Sequence, residues 1–214
     1  MTGADGAAYA ALMRRIETLY REQGKSAGPG AEMLRFAADE LAKFDYSRPR
    51  TGTATRKPVS RFMPDALKAT QDGKLDGLAR DFAAVEPRSD WVQNPNYTAA
   101  TMGRAFVDNY GYVELVGPGR PFDSAKLLVG FLLLGPGAHY PDHRHEAVET
   151  YHVVAGAAEW RREGLGWRVE RPGAAIHHRP GERHAMRAGA EPLLALYCWQ
   201  GEIGKAARLS LEPA

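Results

Sequence analysis

The stretch His143-Arg144-His145-Glu146-Ala147-Val148-Glu149-Thr150-Tyr151 sets two imidazoles, a carboxylate and a phenol at odd positions. In an extended strand, side chains at i and i+2 face the same way, so His143 shares a face with His145, and Glu149 shares one with Tyr151. Such convergence suits a metal ion. Working outward, five residues separate Gly137 from His143, six separate Glu149 from Gly156, and His184 follows behind Pro180-Gly181-Glu182-Arg183. A lone histidine in a strand is usually a surface or satisfied core residue. Here the spacing, the bracketing glycines and the distant His184 agree, and metal binding by His143, His145, Glu149 and His184 outweighs coincidence.

These residues read G-x5-H-x-H-x3-E-x6-G and then P-G-x-x-H, which closely resembles the two metal-binding motifs of the cupin superfamily. The first motif fits in full. In the second, no residue stands between Pro180 and Gly181, and Ala188 occupies a place where Asn is common. The resemblance implies a mainly β fold, the double-stranded β-helix (cupin) barrel. The residues agree independently. From Met102 onward, turn signals such as Asn109-Tyr110-Gly111, Gly117-Pro118-Gly119, Gly135-Pro136-Gly137 and Gly164-Leu165-Gly166 separate short runs rich in Val, Leu, Tyr and Phe, the pattern of an antiparallel sandwich or barrel. Between the motifs, Glu159-Trp160-Arg161 and Trp167-Arg168-Val169 read as a hairpin, and barrel closure brings His184 beside the other ligands.

The N-terminal part reads differently. Tyr9, Leu12, Met13, Ile16, Leu19 and Tyr20 make an apolar stripe at helical spacing over residues 7–23, ended by Gly24, and Met33, Leu34, Ala37, Ala38 and Leu41 make another over 30–43. Residues 50–58 read as a loop, and 64–68 and 75–85 as two short helices. The expected organisation is a mainly helical N-terminal extension over 1–100 and the cupin barrel over 101–214. The helices offer a surface for a homodimer or a lid over the barrel mouth. Tyr46, Phe62, Trp91 and Tyr97 are candidates to complete the pocket from the extension.

Composition narrows the partners. Among 214 residues, 28 Lys and Arg stand against 26 Asp and Glu, a net charge of +2 with no block of like charge, so nothing calls for nucleic acid or an anionic membrane. Cys198 is the single cysteine and forms no internal disulfide, and the N-terminus lacks the basic stretch and apolar run of a secretory signal. The expected location is cytoplasmic. The apolar runs at 127–134 and 193–199 are far shorter than the ~20 residues that span a bilayer, and read as buried strands.

Three imidazoles and a carboxylate suit a divalent transition metal: nitrogen favours Zn, Fe, Ni, Cu or Co, and the carboxylate keeps Mn and Fe in play. An open coordination position would let the ion bind a carboxylate and acidify a neighbouring C–H. The Tyr151 phenol follows Glu149 on the strand, and a nearby cation would lower its pKa from ~10 toward that of a usable base. Tyr140 precedes His143 across Pro141, at the expected rim. Tyr197 and Trp199 share one face of the last long strand, and aromatic faces attract cations without hydrogen-bond donors. His139, His152, His177 and His178 have no such support: His152 reads as structural, and His177 and His178 as surface residues, with support of the metal ligands from behind as the alternative.

With a helical extension ahead of them, Tyr140, His143, His145, Glu149, Tyr151, His184 and Trp199 resemble the signature of the cupin dimethylsulfoniopropionate lyases of marine bacteria. The resemblance implies a metal-dependent lyase that splits a small zwitterionic sulfonium substrate by β-elimination into dimethyl sulfide and acrylate. In it the metal binds the substrate carboxylate, Tyr151 removes the α-proton, Tyr140 positions the substrate or serves as the alternative base, and Tyr197 and Trp199 face the sulfonium. No redox step or organic cofactor is implied. The alternatives are a cupin Fe(II) dioxygenase and a non-catalytic cupin that binds a small ligand. A sugar-phosphate isomerase would need clustered Lys or Arg, which the barrel strands lack, and no helix-turn-helix signal points to a regulator.

Overall fold

The computed structural model describes residues 3–50, 52–70 and 75–210. Four helices come first, α1 (Gly3–Gln23), α2 (Ala31–Leu41), α3 (Met63–Lys68) and α4 (Asp76–Val85), and two single-turn helices, α5 (Ala99–Met102) and α6 (Arg104–Val107), follow a short strand, β1 (Trp91–Val92). Then come β2 (Tyr110–Gly117), β3 (Phe122–Asp123), β4 (Leu127–Leu134), β5 (His139–Arg144), β6 (Val148–Ala155), β7 (Ala158–Arg162), β8 (Arg168–Glu170), β9 (Ala175–His178), β10 (His184–Ala188), β11 (Leu193–Gln200) and β12 (Arg208–Leu209). They form two sheets, β1-β2-β4-β11-β6-β9 with β3 on β2, and β12-β5-β10-β7-β8. This is the double-stranded β-helix of the cupins.

The larger sheet is covered on both faces, which explains why β4 is buried at every position. Its odd residues, Leu127, Val129, Phe131 and Leu133, join a core built with Leu12, Met13 and Ile16 of α1, Leu34 and Leu41 of α2, and Leu78 and Phe82 of α4. Its even residues Leu128, Leu132 and Leu134 join a second core inside the barrel. A strand apolar on both faces reads as a continuous apolar run. In β6 and β11 the same alternation sends Val154, Leu196 and Cys198 toward the helices and Tyr151, Val153, Ala195 and Tyr197 inward.

The helical stripes therefore pack on the back of the sheet, away from the barrel interior. Of the four aromatics considered for the pocket, Tyr46 and Trp91 belong to the outer core and Phe62 packs against it, whereas Tyr97 joins the inner cluster. The expected hairpin forms, with Glu159 opposite Val169 and Trp160 opposite Arg168. Among the described residues, no helix is long and apolar enough to cross a membrane.

Candidate active site

Strand β10 lies between β5 and β7, and its register sets His184 opposite His143. One detail departs from the sequence reading: β5 ends at Arg144, so His145 sits in the turn before β6 instead of continuing the strand. The turn nevertheless aims it inward. Gly181, with φ at 72°, donates its N–H to the His145 carbonyl at 2.8 Å, so the shortened second motif is stitched to the first.

Each of the three imidazoles has one ring nitrogen committed to the backbone. Nδ1 of His143 donates to Pro141 O at 2.8 Å, Nδ1 of His145 to Ala147 O at 3.0 Å, and Nδ1 of His184 to Glu182 O at 2.8 Å. A carbonyl only accepts, so in each neutral ring the proton resides on Nδ1 and Nε2 keeps its lone pair. His145 Nε2 lies 3.0 Å and His184 Nε2 3.4 Å from Glu149 Oε2, and His184 Nε2, though buried, has no hydrogen-bond partner among the described residues. His145, Glu149 and His184 thus form a buried cluster able to hold a metal ion. The His143 ring stands 4.1 Å from that of His184, at the edge of this trio. Burial, then His184, pulls its pKa well below 6.5, which keeps the ring neutral. Burial raises the Glu149 pKa, but the hydrogen bonds and positive charge that His145 and His184 bring when Nε2 carries a proton outweigh it and hold the carboxyl well below the usual range; a cation would take that proton's place. Fixed tautomers, a bare nitrogen and an ionised carboxylate are the donor set of a divalent cation.

This cluster opens on a cavity of about 180 Å³. Its wall is aromatic, with Tyr110, Tyr112, Tyr140, Tyr151, Tyr197 and Trp199, and its charged members are two acids, Glu114 and Glu149; none of the lining residues is a Lys or Arg. Trp199 donates its indole N–H to Glu149 Oε1 at 2.5 Å and stacks on His145 with centroids 4.1 Å apart. It therefore serves the acid as well as the wall. Burial and the adjacent Glu149 carboxylate push the Tyr151 phenol well above 10; a cation held by Glu149 acts in the opposite sense. Tyr140, expected at the rim, is instead buried: it stacks flat on His143 at 3.7 Å and donates its hydroxyl to Tyr97 at 3.2 Å.

Two further corrections concern residues that sequence reasoning underrated. His178 is fully buried, not at the surface: its ring lies parallel to His184 with centroids 3.9 Å apart, and its Nε2 accepts the Trp160 indole N–H at 3.3 Å. Its cross-strand partner is Glu149, and that pairing is a signal only once the register is known. Glu114 drew no notice because an acid among apolar strand residues reads as solvent-facing. It is largely buried, with Arg120 Nη2 at 2.5 Å from Oε2. His177 is half-buried with Nδ1 at 3.2 Å from the Thr150 hydroxyl, and His139 stays exposed near Trp167. His152 packs against Tyr20 behind the sheet, as a structural residue would.

Fold and site together define a cupin with a candidate metal centre set in an aromatic cavity. The dimethylsulfoniopropionate lyase family model matches residues 36–195. The chain belongs to that family. It is 32% identical over 196 residues, 89% of this chain and 81% of the relative, to a protein of Cereibacter sphaeroides assigned as dimethylsulfoniopropionate lyase DddL. It is 35% identical over 162 residues, 74% of this chain and 78% of the relative, to the dimethylsulfoniopropionate lyase DddQ of Ruegeria pomeroyi. The crystal structure of DddQ from Ruegeria pomeroyi DSS-3 superposes with a TM-score of 0.77 at 25% identity, covering 97% of this chain and 98% of that one.

Proposed function

We propose that this protein cleaves dimethylsulfoniopropionate into dimethyl sulfide and acrylate by β-elimination, with His143, His145, Glu149 and His184 holding a divalent transition metal. The observation that carries the reading is the set of fixed Nδ1–H tautomers around Glu149, open on a cavity without a Lys or Arg in its wall. A bound metal supplies a Lewis acid for the substrate carboxylate, a role no basic side chain takes here. Tyr151, whose hydroxyl lies beside Glu149, gives up its own proton to solvent when a cation is held there and, as the phenolate, takes the α-proton on its oxygen. The C–H pair becomes the double bond of acrylate, and the pair of the β-carbon to sulfur bond leaves with neutral dimethyl sulfide.

The other residues position and shield. Trp199 and His178 fix Glu149 and His184; Tyr140, tied to Tyr97 and stacked on His143, closes one wall; Tyr197 and Trp199 face the sulfonium. Burial of the ring nitrogens and of Glu149 excludes bulk water from the proton transfer. In this reading the barrel half, 101–214, carries the chemistry; the long helices of 1–100 back the sheet, while the end of that segment adds β1 to the sheet and brings Asn94 and Tyr97 to the inner side.

The test is headspace detection of dimethyl sulfide from purified protein and dimethylsulfoniopropionate, with and without a chelator, under air and under argon. Chelator-sensitive release that persists under argon is expected. Release that needs oxygen would move the site to dioxygenase chemistry, and none with several metals supplied would remove the lyase reading.

A further inference from the structure

One charged residue in the cavity wall has no part in the chemistry above. On β2, Tyr110 and Glu114 line the cavity, while Val113 and Leu115 between and beyond them face the helices. The cross-strand registers run Glu114 to Gly130, Gly130 to Tyr197 and Tyr197 to Tyr151, so Glu114 and the proposed base lie in one row across β2, β4, β11 and β6. The side chain missing at Gly130 makes this row passable: a Cβ there would stand 2.1 Å from Val113 O and 2.8 Å from the Tyr197 hydroxyl. The Tyr197 ring leans over the glycine toward β2, with its centroid 6.2 Å from that of Tyr112.

Arg120 contacts Glu114 at 2.5 Å and Asp90 at 3.4 Å, so one guanidinium serves two carboxylates, the group of three carries a net negative charge, and Glu114 is its member in the cavity wall. Aromatic rings accept cationic and neutral apolar groups alike; a carboxylate distinguishes them. We propose that Glu114 is the specificity-determining residue of the cavity, the negative pole that makes it prefer a cationic sulfonium to an uncharged group of the same shape. The inference rests on the lyase reading for the orientation of the substrate, carboxylate toward Glu149 and cation toward Tyr197 and Glu114.

The test is calorimetric binding on a Tyr151→Phe background, chosen to suppress turnover, with two ligands of one shape: dimethylsulfoniopropionate, and 4-methylpentanoate, in which an uncharged carbon replaces sulfur. Glu114→Gln is expected to weaken the sulfonium ligand about tenfold and to leave the neutral one within about twofold. Glu114→Asp, which keeps the charge, should retain most of the preference. Equal weakening of both ligands, or no change in either, overturns the proposal and leaves Glu114 as a structural partner of Arg120. Should Glu114→Gln fail to fold, Arg120→Met frees the carboxylate and must strengthen the sulfonium ligand relative to the neutral one; an unchanged ratio overturns the proposal equally. Absence of dimethyl sulfide from the unsubstituted chain would sink the lyase reading alone, because the binding ratio is read without turnover.

Discussion

At the scale of single residues, the centre depends on which atom of each ring carries the proton. His143, His145 and His184 each give Nδ1–H to a backbone carbonyl, so their Nε2 lone pairs are preset for a cation. Tyr151→Phe removes one oxygen and leaves these rings untouched. It should retain metal, read by elemental analysis, and lose about 10²- to 10⁴-fold in kcat, the usual contribution of a general base; full turnover would transfer the role to Tyr140. His152 shows the opposite arrangement, a buried ring with no partner for either nitrogen among the described residues. Burial lowers its pKa to about 4, against ~6.5 in an unfolded chain. Between those values the unfolded state takes a proton that the folded state refuses, so the stability is full above pH 6.5 and is lost as the pH falls toward 4, by about 3 kcal/mol over the whole window. His152→Phe should lose markedly less stability between pH 7 and pH 5 in urea titrations than the unsubstituted chain; parallel curves would show that the ring is not the acid-sensitive group.

At the scale of elements, β4, β6 and β11 serve two cores at once. Phe82 of α4 stacks on Phe131 of β4 with centroids 4.0 Å apart and planes within 12°, a contact on the helix side of the sheet. Phe82→Ala should cost about 3–5 kcal/mol in urea denaturation, with KM unchanged in the remaining folded protein, because the cavity lies on the other face. A shift in KM of the same size as the stability loss would mean that the helices shape the cavity through the sheet. Periodicity gave the elements well: the stripes of α1 and α2 were legible to within a turn, and the runs at 127–134 and 193–199 are buried strands. Strand pairing was not legible, since alternation names two faces without naming what covers each.

At the scale of the molecule, the four proposed ligands come from β5, the turn after it, β6 and β10, which are separated by up to forty-one residues of chain. A metal bound to all four ties these segments only in the folded state, so it stabilises by mass action, by about 4 kcal/mol at a thousandfold excess over Kd. Chelation should therefore lower Tm by roughly 10 °C, with recovery when metal is returned; a Tm indifferent to both would mean the cluster holds no ion. The amino-acid sequence by itself determined the fold class and pointed to the proposed His/Glu set and the aromatic residues near it, because these lie in short segments whose spacing is imposed by strand geometry. Tertiary structure alone decided that Tyr140 is buried on His143, that His178 stands behind His184, that Tyr97 reaches the inner cluster while Tyr46, Phe62 and Trp91 do not, and that Glu114 faces the cavity. Those placements depend on which strands become neighbours and which face turns inward, and both follow from the burial of two cores at once, a property of the whole chain that no local pattern contains.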